Sequence, residues 1–416
     1  MTTPPPAMIR TQRLQSLASR RVILGSAAIG TLGVFGLHIL LPALHAIRDA
    51  LESTDTTVQL LISLAILATA LGGLAIAPLS DRWGRRRIIR WALALYFGGS
   101  FLGLVAPHIG VLIAARVLQA FGGGAALAVM RADVIDRFGT DGTAASAMAY
   151  SSTAVLVVPM IAPALGGLVV QWLHWRVTFV LAMLLALGVF VFYERNLARP
   201  DDEQASMGVT PTLLASYRAL LHTPGYVPRL LFGATMMSTT YVFIASAPYL
   251  VIRVMGAAPA HYGLLYCLPA SASFCGFLLA GRISRRLGSV RMMGAGLVCM
   301  LLAVMLFALL SWAGVQQPLA IFVPGMLLTF GNALALPNTT SSTIALRADI
   351  AGAASGLLSF VQLSLAAITT QLVAVFANHT SQPPALMMLS TMAGAALCFG
   401  SILWSRTPSM TNLHAK

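Results

Sequence analysis

Between residues 22 and 404 the chain is a succession of apolar runs, each about as long as the hydrocarbon core of a bilayer is thick. A crossing helix needs about 20 predominantly apolar residues, with a range of about 17–25. On that rule roughly twelve spans are expected, at 22–44, 58–79, 88–107, 110–133, 144–171, 177–193, 229–251, 262–281, 291–313, 317–343, 351–376 and 384–404. Inside hydrocarbon each backbone N–H and C=O must be paired within the protein, so runs of this length are helices. Charged residues make up only 9% of the chain, against about 25% in a soluble domain. The expectation is an all-α membrane protein with twelve transmembrane helices.

The placement of the charges sets the topology. A net charge of +14 raises the question of nucleic acid, but the cations stand between apolar runs and do not gather on one face, so no nucleic-acid partner is expected. With the N-terminus in the cytoplasm, only Arg48, Arg176 and Arg253 of the 26 Lys and Arg fall in outer loops, and Arg116 lies within a span. The excess of cations on one side marks the cytoplasm and puts both termini there. The polar segment 1–21 is read as a tail. The apolar run after it, about 20 residues, is too long for a cleaved signal and is read as a retained first span. The four cysteines all fall in apolar runs without metal-type spacing, so neither a metal nor another cofactor is expected.

The one long polar interval, Glu194–Arg229, divides the spans six and six. The reading is a six-helix bundle over 22–193, a cytoplasmic linker over 194–228, a second bundle over 229–404 and a tail over 405–416. Within the linker, Thr212–His222 has the pattern of a short surface helix. A faint repeat relates the halves: Ser284–Arg285–Arg286–Leu287–Gly288 resembles Ser80–Asp81–Arg82–Trp83–Gly84, each after the second span of its half. Paired six-span repeats are a common way to build a transporter, with the substrate site between the halves near the midplane. The second copy lacks the acid, so any special duty of Asp81 belongs to the first.

Few polar side chains stand inside spans. Arg116, about six residues into the fourth span, costs at least about 2.5–3.5 kcal/mol there and is read as facing a cavity; snorkelling to the outer headgroups is the alternative. Gln119 shares its helix face, and Gly122–Gly124 allow close approach. No acid sits at the centre of a span. His38, at comparable depth in the first span, is therefore the candidate proton carrier, with a plain core histidine as the alternative. Asp133, in a charge cluster at the inner end of the fourth span, is next in line. Tyr241, Asn332 and Gln362 supply further polar groups to a central cavity. Pro159, Pro163, Gly166 and Gly167 make the fifth span either a hinge or seal between halves, or a simple kink.

Taken together these stretches resemble the major facilitator superfamily, and within it the bicyclomycin/chloramphenicol-resistance subfamily of drug:proton antiporters. The loop Pro78–Arg86 is similar to that superfamily's signature between spans two and three. Arg116–Gln119 with Gly122–Gly123, Ala162–Gly167 with Trp175–Arg176, and Leu41–Leu44 are similar to motifs of spans four, five and one. The resemblance implies two pseudo-symmetric six-helix bundles, alternating access, and export of a small organic molecule (drug, metabolite or siderophore) from a bacterial inner membrane against protons, by a monomer. It implies that Asp81 faces the N-terminus of span eleven and latches the inner gate, with Arg82, Arg85 and Arg86 as counter-charge and Gly84 permitting the turn. Ala77 and Ala162 stand where those motifs have glycine, so looser helix contacts are expected there. His38 stands where the subfamily often has an acid. An uptake symporter on the same fold is the alternative, and a membrane-embedded lipid-modifying enzyme a remoter one; the second lacks a suitable carboxylate cluster.

Overall fold

Two glycines one half-chain apart each end one helix and begin the next. Gly84 has φ 84° and ψ 133°, and Gly288 has φ 80° and ψ 152°. Side chains resist this left-handed region, so both sharp reversals depend on glycine. They are the two copies of the arginine-rich repeat, and they fix the second and third helices of each half in the same relation. Substituting alanine at either is expected to lower the melting temperature of the detergent-solubilised protein, by about 1–2 kcal/mol in stability. Alanine at Gly188, a helical position with open space around it, is expected to be neutral or stabilising, and equal melting of all three variants would refute the assignment.

The structure, a computed structural model, describes residues 6–138, 155–197, 213–376 and 380–404. Among these residues the secondary structure is helical. The helices of 15 residues or more are α1 (Pro6–Leu40), α2 (Asp55–Trp83), α3 (Arg85–Leu104), α4 (Ile109–Phe138), α5 (Val158–Trp172), α6 (Val177–Asn196), α7 (Tyr226–Pro248), α8 (Cys267–Leu287), α9 (Ser289–Trp312), α10 (Leu319–Ile344), α11 (Ala351–Val375) and α12 (Gln382–Trp404). Nine segments of the described chain are long and apolar enough to cross a membrane, and the one from Leu319 to Val375 holds both α10 and α11. Outside that set, α3 opens with Arg85, Arg86, Arg87 and Arg90, and α5 is 15 residues long, the first part of the expected fifth span, 144–154, lying outside the described residues.

The packing repeats between the halves. In the first half α2 and α3 pack on α4, α1 packs on α4, α5 and α6, and α3 packs on α6. Each pairing recurs six helices later: α8 and α9 on α10, α7 on α10, α11 and α12, and α9 on α12. The contacts that join the halves obey the same rule, because α2 meets α11 and α5 meets α8. A sequence repeat of five residues thus marks a two-fold arrangement of twelve helices.

Three helices depart from simple rods. α1 breaks at a 3-10 turn, Leu41–Ala43, around Pro42 and continues as Leu44–Ala50. Toward its start it runs unbroken from Pro6, where the polar tail was expected. α7 runs into a π-helical turn, Tyr249–Val254, and α8 is preceded by the short helix Pro259–Leu265. In the linker a helix forms at Leu213–Leu221, and its buried Leu220 joins Ala354 and Leu358 of α11.

Among the described residues, contacts between the halves are seen at the face opposite the arginine-rich turns. There Ser63 Oγ donates to Gln371 Oε1 (2.7 Å), and Gln371 Nε2 donates to the Thr56 carbonyl (3.1 Å). Gly167 lies against the Pro259 carbonyl and Ala260, and Gly263 against the Pro163 carbonyl and Ala164. One apolar cluster, with Leu40 and Leu61 from the first half and Leu250 and Tyr262 from the second, closes this face.

Candidate functional site

Arg116 is 3% exposed, which excludes a side chain reaching for headgroups. α4 can bring it inward because small residues let the helix sink between its neighbours: Gly122 meets the Ala92 carbonyl of α3, and Gly124 meets the Thr69 carbonyl of α2. The guanidinium lines a cavity of ≈ 100 Å³ with His38, Gln119, Tyr96 and Thr69 from the first half and Tyr241 and Leu363 from the second. Both halves therefore contribute wall to the space that holds the charge.

The polar groups form a chain. Arg116 Nη1 donates to Gln119 Oε1. Gln119 Nε2 donates to Ser100 Oγ (2.8 Å), and Ser100 Oγ donates to the Tyr96 carbonyl (2.8 Å). Tyr96 Oη donates to the Leu32 carbonyl (2.8 Å). A Cβ at Gly36 would lie 2.8 Å from Tyr96 Oη, so the missing side chain leaves the tyrosine and the arginine room beside α1. Arg116 Nε has no hydrogen-bond partner among the described residues. Among the described residues no carboxylate lines this cavity, and a positive centre with a spare donor favours a ligand that brings acceptors or negative charge.

His38 Nδ1 lies 2.8 Å from the Val34 carbonyl. A carbonyl only accepts, so Nδ1 carries the hydrogen and Nε2 is left to take a proton. The ring also meets Tyr266 of the second half edge-on, at 6.0 Å between centroids. One face of α1 thus touches the cavity and the partner half together.

Of the residues singled out in the sequence, the cavity unites His38, Arg116, Gln119 and Tyr241. It does not include Asp133, which forms an ion pair with Arg137 (2.7 Å) near the far end of α4. Seventeen residues separate Asp133 from Arg116, about 25 Å along the helix. Nor are Asn332 and Gln362 in its wall, although each has an unpartnered polar atom. Gln362 lies beside Gly233 within the second half.

Of the expected gating residues, the side chains of Asp81 and Arg82 lie outside the described residues, as does that of Ala77. Arg86 Nη2 donates to Glu194 (3.2 Å), and Arg90 binds the same carboxylate (2.7 and 2.8 Å), joining α3 to α6. Arg85 is half-buried beside Gly84. Pro163, Gly166 and Gly167 lie on the contact surfaces of α5, with Gly166 against the Ile39 carbonyl and Pro42 at the break in α1. One turn away, next to Pro159, the Met160 carbonyl accepts from Cys267 Sγ of α8 (3.1 Å). Ala162 is fully buried. Tyr96, Ser100 and Gly36 were not anticipated. A tyrosine and a serine four apart on α3 were the available signal, because they share one helix face.

The Major Facilitator Superfamily model matches residues 26–370. The chain belongs to the major facilitator superfamily. It is 27% identical to multidrug resistance protein D of Escherichia coli over 335 residues, 79% of this chain and 82% of that protein. It is 26% identical to a chloramphenicol resistance protein of Pseudomonas aeruginosa, over 90% of this chain and 89% of that protein. These relatives match the bicyclomycin/chloramphenicol-resistance subfamily to which the motifs pointed. The fold is shared with the xylose transporter XylE from E. coli in a partially occluded inward-open conformation, at a TM-score of 0.71 and 13% identity, covering 94% of this chain and 98% of that one. The protein is a multi-pass membrane transporter of this superfamily, and not an enzyme.

Proposed function

We propose that this transporter exports a small organic molecule across a bacterial inner membrane in exchange for protons, by alternating access of the cavity around Arg116. The observation that carries the reading is a guanidinium 3% exposed in a cavity walled by both halves and, among the described residues, free of carboxylates. Such a site suits a neutral or anionic amphipathic cargo, whose acceptors take hydrogen bonds from the arginine and whose apolar part meets the apolar wall. The resistance proteins among its relatives support a drug-like cargo. On this reading the arginine-rich turns and both termini are cytoplasmic, the opposite face is outer, and the monomer is the transporting unit.

Export against a gradient needs a group that gains and loses a proton in step with the cargo. His38 has the position for it, with the residue in the cavity wall, Nδ1 engaged by the Val34 carbonyl and the ring in contact with the second half. In everted vesicles with an acidified lumen, substrate is expected to elicit proton release, and an uptake symporter would give none. His38→Ala is expected to abolish uphill transport while leaving downhill movement of the same substrate. Full uphill transport by that variant would move the coupling role elsewhere, with Asp133 the next residue to replace.

A further inference from the structure

His45 stands seven residues after His38, on the far side of the break in α1. It is stacked on Tyr249 of the second half, with centroids 6.3 Å apart and planes at 29°. Both ring nitrogens are sealed from solvent and have no hydrogen-bond partner among the described residues. His45 borders a slot of ≈ 40 Å³ with Asp55, Gln59 and Ser246. Gln59 is 8% exposed, and its Nε2 also lacks a partner there. A water needs about 10–15 Å³ of such space and several polar partners, so the slot suits two or three waters.

Asp55 also lines a separate open basin at the same face, together with Arg48, Asp49, Glu52 and Arg253. One carboxylate therefore borders both the open basin and the slot. It is also the charge that holds the seam: Arg48 Nη1 lies 3.2 Å from Asp55 Oδ1, and Arg253 Nε of the second half lies 3.5 Å from Asp55 Oδ2. Arg48 is further paired with the exposed Asp49. The charged and titratable groups around His45 are thus Asp55 on α2, Arg48 and Asp49 on its own helix, and Tyr249 and Arg253 on the π-helical turn that follows α7.

We propose that His45 is a proton-binding group of the outer seam, loaded from the outer face through Asp55, and that its protonation opens the seam. A proton on the Asp55 carboxyl passes through slot water to an imidazole nitrogen and leaves the carboxylate ionised, so charge and atoms balance. With the seam closed, Asp55 already serves two guanidiniums. An imidazolium there is a third cation on one carboxylate, in a slot with little water to solvate it. Opening hydrates it, so the open state binds the proton more tightly and acid shifts the population toward open. This inference rests on the export reading for its meaning, since acid outside would favour the state that releases cargo, but its test requires no transport.

The test uses the full chain in lipid nanodiscs without substrate, with the four native cysteines replaced. Spin labels at Ser53 and Ala257, one on each half at this face, report the width of the seam by pulsed electron resonance. The long-distance population is expected to grow as pH falls from about 7.5 to about 5.5, by at most about tenfold per pH unit for one proton. His45→Gln, and independently the ring-preserving His45→Phe, are expected to remove that response, and either folded variant decides. A parent protein with no pH response, or an equal response in the variants, would overturn the proposal. If the response depends on His45 but everted vesicles show no proton exchange, the proposal stands and the antiport reading falls.

Discussion

Arg116→Ala is expected to abolish efflux, with a fall of at least about 100-fold in initial rate in everted vesicles. Binding would lose about 3 kcal/mol if the guanidinium makes one charge-assisted pair with the cargo, which corresponds to a factor of about 100. The same substitution should not impair insertion. It removes a charge that costs at least about 2.5–3.5 kcal/mol in hydrocarbon and that no carboxylate among the described residues of the cavity neutralises. Arg116→Lys is expected to lie between, because an ammonium keeps the charge but loses the planar fork that Gln119 accepts from. Normal efflux by the alanine variant, at equal protein in the membrane, would leave the cavity without a binding role. Normal insertion with lost efflux separates this outcome from simple misfolding.

The second large effect is expected at the seam. Gly167→Val and Gly263→Val each place methyl groups against backbone of the other half, at Pro259–Ala260 and at Pro163–Ala164. Backbone held in helices cannot step aside as the end of a side chain can. Overpacking of this kind costs about 1–3 kcal/mol, and that cost falls on the closed state alone. A bias of that size shifts the population away from the closed seam by about 5- to 150-fold. Transport should fall accordingly, and the distance between labels at Ser53 and Ala257 should lengthen at neutral pH. A variant that transports normally with an unchanged seam distance would show that this contact does not have to close.

The two substitutions act on different links of one chain. Arg116 concerns what the cavity binds, and the glycines concern which side of the membrane can reach it. Combining Arg116→Ala with Gly263→Val is accordingly expected to give a protein that still shows the long seam distance and still does not transport. The His45 response adds a third link, by which protons on one face bias the same closure.

Several of these residues are legible in the sequence alone. Arg116 announced itself because a guanidinium in an apolar run has few tolerable places to go. His38 followed by elimination, since no acid lies mid-span. Gly84 and Gly288 marked a repeat that the backbone then showed as matched positive-φ turns. Tyr96 and Ser100 were not foreseen, because a polar-tipped aromatic or a serine in a span is unexceptional until its neighbour is known. Asn332 and Gln362 were placed in the central cavity on polarity alone, and the structure sets both outside its wall. Polarity says that a group needs a partner, but not which one it finds.

The sequence by itself determined the number and type of the elements, their order, and which loops share a face. Hydrocarbon admits only segments that satisfy their own backbone, and arginine excess at one surface orients them. Only the tertiary structure decided that α5 closes on α8 and α2 on α11, that Tyr96 rather than an acid stands beside Arg116, and that His45 lies stacked on Tyr249 above a slot shared with Asp55. Apolar surface has no preference among apolar partners within a membrane. The assembly is set by where glycines let backbones touch and where a few polar atoms meet, and those coincidences of position exist only once the chain is folded.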